Sequence, residues 1–246
     1  SELLNAEVSD RTLREKYELR TTSGWRFGSL REAEMKGGYN PELLRECLES
    51  PFNIQYTYHS PILRRPQLEA LRHLHHPNVA ILTLRQSRAS EGGHFFLTDK
   101  IFSKDVISIK DRATGFPLYL YTTPEDTEGT LFATDEITRE TNLSAQFIAA
   151  VEQALDLRFV SDGQGDLQKT VGPEDILRYA YAVFHSPTYR ERYAEFLAID
   201  FPRLPLTSDR DLFAALAGKG EGLVELHLME SPALDQSPVR FPVADS

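Results

Sequence analysis

The spacing of apolar residues changes near Thr141, and this change limits the possible folds more than any other feature of the sequence. Before it, short apolar runs with Gly or Asp–Arg turn signals between them are typical of strands: NVAILTLR, HFFLTDKIF, DVISIK and FPLYLYTT. After it, the apolar residues of NLSAQFIAAVEQAL recur at helical spacing. A β-rich centre followed by a helical C-terminal half predicts an α+β fold.

Further helices are predicted in the C-terminal half. GPEDILRYAYAVFHS opens with a proline and two acidic residues, which suit the first turn of a helix. Ser186 and Pro187 are typical of an N-cap and a first helical position, so one helix is expected from Pro187 to about Asp200. SDRDLFAALAGKGEGLVELHLME predicts either a helical hairpin or one helix interrupted by glycines.

The N-terminal part mixes helical and strand-like patterns. LREKYELR and NPELLRECLES are predicted helices, with turn-forming residues between them. NIQYTY alternates apolar with polar residues and predicts a strand. PQLEALRHLHHPN predicts a short helix that its last proline ends.

Composition indicates an ordinary soluble globular protein, with 246 residues, 41% of them hydrophobic and 26% charged. Cys47 is the single cysteine, which excludes an internal disulfide and a multi-cysteine zinc site and favours a cytoplasmic location. No run of about 18 apolar residues and no signal-peptide pattern occurs, so we expect no membrane contact. Because the sequence begins with Ser1 and not Met, we expect it to be part of a longer polypeptide.

Charge is distributed unevenly along the chain. The net charge is −10, yet residues 61–112 hold nine Lys or Arg and five Asp or Glu, a local charge of +4. Five of the seven histidines also lie in or just before this stretch. Such asymmetry favours contact between one face and a polyanion. The alternative is an uneven surface with no partner.

The sequence lacks the motifs of the common catalytic sites. GKGEG does not have the spacing of a phosphate-binding loop, and neither G-x-S-x-G nor H-E-x-x-H occurs. HLHH at residues 73–76 places its histidines on different helix faces, and no cysteine or carboxylate completes a metal-binding set nearby. We therefore predict no catalytic residue and no metal site in this chain.

Basic and amide side chains follow the predicted strand NVAILTL directly. Arginine can bond guanine with two hydrogen bonds, glutamine can bond adenine, and both can hold phosphates. Scaffolds commonly present such groups where strands end in loops. The candidate DNA-binding residues, from here and from the basic stretch around it, are Arg64, Arg65, Arg72, Arg85, Gln86, Ser87, Arg88, Lys100 and Lys104. A solvated turn without a ligand is the alternative.

Two segments resemble a known family. GPEDILRYAYAVFHSPTYRERYAEFLAIDFPRLPL, together with SDRDLFAALAGKGEGLVELHLM, closely resembles the C-terminal specificity region of type ISP restriction-modification enzymes and related single-chain methyltransferase-nucleases. SPFNIQYTYHSPILRRPQLEALRHLHHPNVAILTLRQS resembles the start of the same region, with SPFN where the family has an RPFD-like strand. The resemblance spans roughly residues 51–229.

The resemblance implies a target-recognition domain that binds double-stranded DNA, while other domains perform adenine-N6 methylation and cleavage. This chain contains no N-P-P-[YF] or D-P-P-Y motif, so we expect it to be no enzyme by itself and to hold no cofactor. S-adenosylmethionine is expected in the full-length enzyme, with ATP and Mg as further candidates there. The alternative is a protein-interaction module that docks the methyltransferase or ATPase domains without reading bases.

The same resemblance suggests how the chain is organised. Residues 1–50 are expected to form a helical connector to an upstream methyltransferase domain of the same polypeptide. Residues 51–140 are expected to read DNA, residues 141–230 to support them, and residues 231–246 to form a flexible tail.

Overall fold

Strands dominate the centre of the molecule and long helices its C-terminal half. The computed structural model describes residues 2, 5–19, 27–38, 40–60, 71–87, 95–127 and 135–236. Most strands in these ranges lie between Leu44 and Thr141, and the two longest helices of these ranges lie between Pro173 and His227. The predicted α+β class is confirmed. The division into four functional regions stays a prediction.

The helices and strands alternate in small groups along the chain. The helices are α1 (Asp10–Lys16), α2 (Phe27–Gly37), α3 (Pro124–Thr127), α4 (Ala145–Leu155), α5 (Pro173–His185), α6 (Pro187–Arg192), α7 (Ala194–Ile199) and α8 (Arg210–His227). The strands are β1 (Leu44–Ser50), β2 (Asn53–Tyr58), β3 (Ala80–Leu84), β4 (Phe95–Thr98), β5 (Ile101–Phe102), β6 (Ala113–Pro117), β7 (Tyr119–Thr122), β8 (Thr138–Thr141), β9 (Arg158–Phe159) and β10 (Thr170–Val171). Short 3-10 helices occupy Pro41–Leu43, Arg72–His75 and Pro232–Gln236.

The central sheet has the strand order β4-β3-β6, and β3 pairs antiparallel with both neighbours. One face packs Ala80, Leu82 and Leu84 into a core shared with β5. Through Phe95 and Leu97 of β4, the other face joins a larger core with α5 and α8. As its continuous apolar run predicted, β3 is therefore covered on both sides.

A second sheet has the order β2-β1-β5, with β1 antiparallel to β2 and parallel to β5. The helix predicted for NPELLRECLES is wrong, because the segment forms a 3-10 turn at Pro41–Leu43 and then β1. Pairing with β2 and β5 buries Cys47 and Leu48, and this tertiary pairing outweighs local helix propensity.

The segment DVISIK is also not a strand. It belongs to the loop from Ser103 to Arg112, which connects β5 to β6. Only Val106 of its apolar residues is buried, while Ile109 is exposed, so the short apolar run that suggested a strand anchors the loop through one side chain.

Side-chain hydrogen bonds fix the starts of α4, α8 and α5. The hydroxyl oxygen of Ser144 accepts a hydrogen bond from Phe147 N at 3.2 Å, and the carboxylate of Asp209 accepts one from Leu212 N at 3.0 Å. At the start of α5, Asp175 accepts hydrogen bonds from two backbone N–H groups, of Gly172 and Gly165, at 2.8 and 2.6 Å. This carboxylate therefore ties the loop before α5 to the first turn of the helix.

Helices α5 and α8 pack directly against each other. Ten of the thirteen residues of α5 are buried. At the contact point, a Cβ atom on Gly220 would lie 1.9 Å from the carbonyl oxygen of Arg178, so only glycine allows this approach. The glycines of α8 do not interrupt it, which leaves one helix of 18 residues and excludes the helical hairpin.

The single helix expected from Pro187 to Asp200 is divided into α6 and α7 at Tyr193. Its predicted start and end are confirmed, since Ser186 caps α6 and Asp200 follows α7. The buried Tyr189 donates its hydroxyl hydrogen bond to the carbonyl oxygen of Arg203 at 2.9 Å, which ties α6 to the chain beyond α7. None of the described helices has the length and apolar character needed to span a bilayer.

Candidate nucleic-acid interface

The candidate residues lie at the two ends of the central sheet. At the Leu84 end, Leu84 pairs with Ala113; at the Ala80 end, Ala80 pairs with Thr98 and Pro117. Five residues of extended chain separate these ends by about 13 Å, close to the 12 Å width of a DNA major groove. Arg64, Arg65 and Arg88 lie outside the described residues.

Arg85 and Gln86 are exposed at the Leu84 end. The side chain of Arg85 is 70% exposed, and its Nε lies 3.7 Å from the Asp200 carboxylate. Its guanidinium also lies 6.0 Å from the centre of the Phe201 ring. These contacts orient Arg85 but leave most of its surface free for a ligand, and Gln86 is similarly accessible.

Ser87 connects the Leu84 end to the helical half. Its backbone N–H donates a hydrogen bond to the carbonyl oxygen of Ala198 in α7 at 3.2 Å. Its hydroxyl oxygen is buried and has no hydrogen-bond partner among the described residues. The backbone contact fixes the direction in which the chain leaves β3, and with it the positions of Arg85 and Gln86.

The loop from Ser103 to Arg112 reaches the same end of the sheet. Ala113 N, beside Leu84 in the sheet, donates a hydrogen bond to the carbonyl oxygen of Lys104 at 2.8 Å. The side chain of Lys104 pairs with Asp105. Lys110 and Arg112 are exposed, and neither forms an ion pair in the described ranges. Sequence reasoning omitted these two cations, although they belong to the basic stretch that it identified.

At the Ala80 end, the candidate cations are paired with carboxylates. Lys100 contacts Asp99 at 2.9 Å and Glu46 at 3.4 Å, and its side chain is only 24% exposed. Arg72, on the 3-10 helix before β3, pairs with Asp126. Hydrogen bonds from Arg72 and from the backbone of Thr123 lower the pKa of Asp126 to about 2. Both cations therefore already take part in holding the fold.

A polar cleft of about 360 Å³ opens beside Lys100, and Arg45 and His75 line it. The Nε atom of Arg45 is buried, and no described residue forms a hydrogen bond with it. His75 Nε2 lies 2.8 Å from His59 Nδ1. Burial, with the charges of His59 and Arg45, lowers the pKa of His75 to about 4, so it is neutral at physiological pH. Sequence reasoning missed Arg45 because it assigned this segment to a helix.

Metal-binding or nucleophilic side chains would be the alternative to a recognition surface. No three His, Cys, Asp or Glu side chains are grouped to hold a metal ion in the part of the chain that the structure describes. Burial, reinforced by Glu49, raises the pKa of the Cys47 thiol to about 11, which disfavours the nucleophilic thiolate. His73 Nδ1 accepts a hydrogen bond from Tyr121 N at 3.0 Å and so supports β7. What the arrangement offers is recognition by cations, amides and exposed loops.

Comparison with known proteins gives a family and several structural neighbours. The family model described as the type ISP C-terminal specificity domain matches residues 1–246, which confirms the resemblance noted in the sequence. No curated protein matches the chain.

The solved structures share the fold at low sequence identity. The ATP-dependent type ISP restriction-modification enzyme LlaBIII, bound to DNA, superposes with a TM-score of 0.60 at 19% identity, over 86% of this chain and 12% of that chain. A complex of DrdV with DNA superposes with a TM-score of 0.60 at 23% identity, over 92% of this chain and 20% of that chain. A nuclease-deletion mutant of the type ISP enzyme LlaGI, in complex with a DNA substrate mimic, superposes with a TM-score of 0.51 at 19% identity. The match covers 90% of this chain and 14% of that chain. This chain thus spans a fifth or less of each of those chains.

Proposed function

Because this chain belongs to the family of type ISP C-terminal specificity domains, we propose that it recognises the DNA target sequence of a restriction-modification enzyme. The family match over the whole chain carries the proposal. The description of LlaBIII and DrdV as DNA-bound supports it, as does the exposure of Arg85 and Gln86 at a strand end.

Base reading is assigned to the Leu84 end of the sheet. Arg85 suits a guanine, whose O6 and N7 accept two hydrogen bonds, and Gln86 suits an adenine. Lys104, Lys110 and Arg112 surround this end and suit phosphate contacts, which supply affinity that weakens with salt. Ser87 contributes by holding the strand exit in place.

The Ala80 end is assigned to the DNA backbone. Arg72 and Lys100 keep their carboxylate partners, so each offers a phosphate only part of its hydrogen-bonding capacity. Arg64, Arg65 and Arg88 complete the set of proposed DNA contacts.

The chemistry is assigned to other segments of the polypeptide. On this proposal an upstream methyltransferase domain, using S-adenosylmethionine, modifies an adenine at N6, and further domains use ATP and Mg²⁺ for cleavage. This chain binds the duplex so that one adenine lies where that domain can flip it out of the stack.

Selection of bound sequences from random duplexes tests the proposal. The unmodified chain is expected to enrich one sequence. Arg85→Ala and Gln86→Ala are each expected to lose about 1–3 kcal/mol of discrimination between bases, at different positions of that sequence. Arg192→Ala and Gln153→Ala, both at exposed helical positions, are matched controls that should leave the sequence unchanged. A chain that enriches no sequence and docks only to the methyltransferase domain would overturn the proposal in favour of an interaction module.

A further inference from the structure

Ile109 is the most exposed large apolar side chain of the described residues, with 88% of its surface accessible. Isolated exposed apolar residues are common and need no special explanation. Three features set Ile109 apart: the loop holds it in place, cations flank it, and this loop leads into Ala113, which pairs with Leu84, the residue before Arg85.

The loop around Ile109 is well anchored. Val106 is 2% exposed and packs in the core beneath the loop, with Ile107 against the same core. The hydroxyl oxygen of Ser108 accepts hydrogen bonds from the backbone N–H groups of Lys110 and Asp111, both at 3.2 Å. Ile109 is therefore held outward between a buried valine and a hydrogen-bonded turn, so a ligand would meet it with little further loss of conformational entropy.

The charge around Ile109 favours an anionic ligand. The loop carries three cations and two carboxylates, and Lys110 and Arg112 on one side of Ile109 form no ion pair in the described ranges. Arg85 adds a further exposed cation at the same sheet end. A ligand that fits this surface combines negative charge with a small apolar group, and duplex DNA offers both. In its major groove, that apolar group is the C5-methyl of thymine.

We propose that Ile109 contacts the C5-methyl group of a thymine in the DNA target, beside the bases read by Arg85 and Gln86. The inference rests on the proposed function and adds to it an apolar contact that specifies one base pair. Aliphatic side chains that touch this methyl discriminate thymine without any hydrogen bond.

Replacing thymine by uracil removes only the methyl group and tests the contact directly. With the sequence selected by the unmodified chain, single uracil substitutions are made at each thymine in turn. One of them is expected to weaken binding about fourfold, which is the value of one buried carbon. Ile109→Ala is expected to weaken binding of the thymine duplex by about tenfold and to abolish the uracil effect at that position alone. Ile109→Val is expected to retain it.

Ile137→Ala is the matched control, because Ile137 is also exposed, at 54%, and precedes β8 away from this sheet end. It should bind both duplexes like the unmodified chain. If Ile109→Ala keeps full affinity, or keeps every uracil effect, the methyl contact is wrong while the proposed function stands. A selected target without thymine also overturns the contact alone. If the unmodified chain enriches no duplex, both fail.

Discussion

The helical half and the Leu84 end of the central sheet use their side chains in opposite ways. Helix α5 buries ten of its thirteen residues and meets α8 so closely that only glycine fits at the crossing. At the Leu84 end, Arg85, Gln86 and Ile109 point into solvent and bury little. If the proposed function is right, stability and recognition depend on different residues, and substitutions in the two regions should have separable effects.

The largest effect is expected at the crossing of α5 and α8. In Gly220→Ala the new Cβ would clash with the backbone of Arg178, so the helices must separate, and we expect a loss of about 3 kcal/mol in the free energy of unfolding. Urea denaturation followed by circular dichroism measures it.

Gly218 provides the control on the same helix. A Cβ there would meet nothing within 4 Å. Gly218→Ala should therefore stabilise the protein by about 0.5–1 kcal/mol, because alanine favours the helix. Equal destabilisation by the two variants would show that helix packing at Gly220 is not close.

A second prediction separates stability from recognition. Leu155→Ala removes a side chain that is 2% exposed and should lower the free energy of unfolding by about 3 kcal/mol without changing the selected DNA sequence. Arg85→Ala should do the reverse. It should alter the selected DNA sequence while the free energy of unfolding changes by no more than about 0.5 kcal/mol. Unfolding curves and duplex selection on both variants check this. If Leu155→Ala changes the selected sequence at a temperature where it is folded, the two functions are not separable.

The third prediction concerns the ion pair at the Ala80 end. The pKa of Asp126 is lowered to about 2 in the folded protein, so its contribution to stability is present above its ordinary pKa and is lost as pH falls from about 4 to about 2. Arg72 is more than a third exposed, and solvent screening limits the contribution to about 1 kcal/mol. The difference in unfolding free energy between the unmodified protein and Asp126→Asn should therefore disappear over this pH range.

Asp235→Asn controls for the loss of a surface carboxylate, because Asp235 forms no ion pair in the described ranges. A pH-independent difference between the unmodified protein and Asp126→Asn would contradict the role assigned to Arg72 in stability.

The smallest effect is expected for lysines that already have carboxylate partners. Replacing Lys100 and Lys104 together by Gln should leave the selected sequence unchanged and reduce the salt dependence of binding by about one counterion per lost phosphate contact. Affinity measured over a series of salt concentrations gives this slope. Lys219→Gln, on the exposed face of α8, should not alter it. An unchanged slope in the double variant removes both lysines from the proposed interface.

Sequence patterns predicted those elements whose own residues determine them. The cap at Ser186, the proline at the start of α5 and the continuous apolar run of β3 are local signals, and all three are confirmed. β1 could not be predicted in this way, because it is a strand only through pairing with β2 and β5, and its own residues suit a helix.

The same distinction applies to the candidate interface. The exposure of Arg85 and Gln86 follows from their place after a buried strand, which the sequence reveals. The pairing of Arg72 with Asp126 joins residues 54 positions apart, so only the folded chain shows it. Ile109 was assigned to a strand because it lies in a short apolar run, although in the folded chain only Val106 of that run is buried.

The hydrogen bond from Ser87 to Ala198 has a consequence for exchanging specificity between related chains. It couples the strand exit to α7, and Asp200 beyond that helix faces Arg85. If residues 79–87 alone were exchanged for those of a related chain, the new residues at positions 85–87 would face an α7 and an Asp200 from a different protein. On the proposed function, the unit to exchange is therefore the strand exit together with residues 194–201, two segments more than a hundred positions apart in the chain.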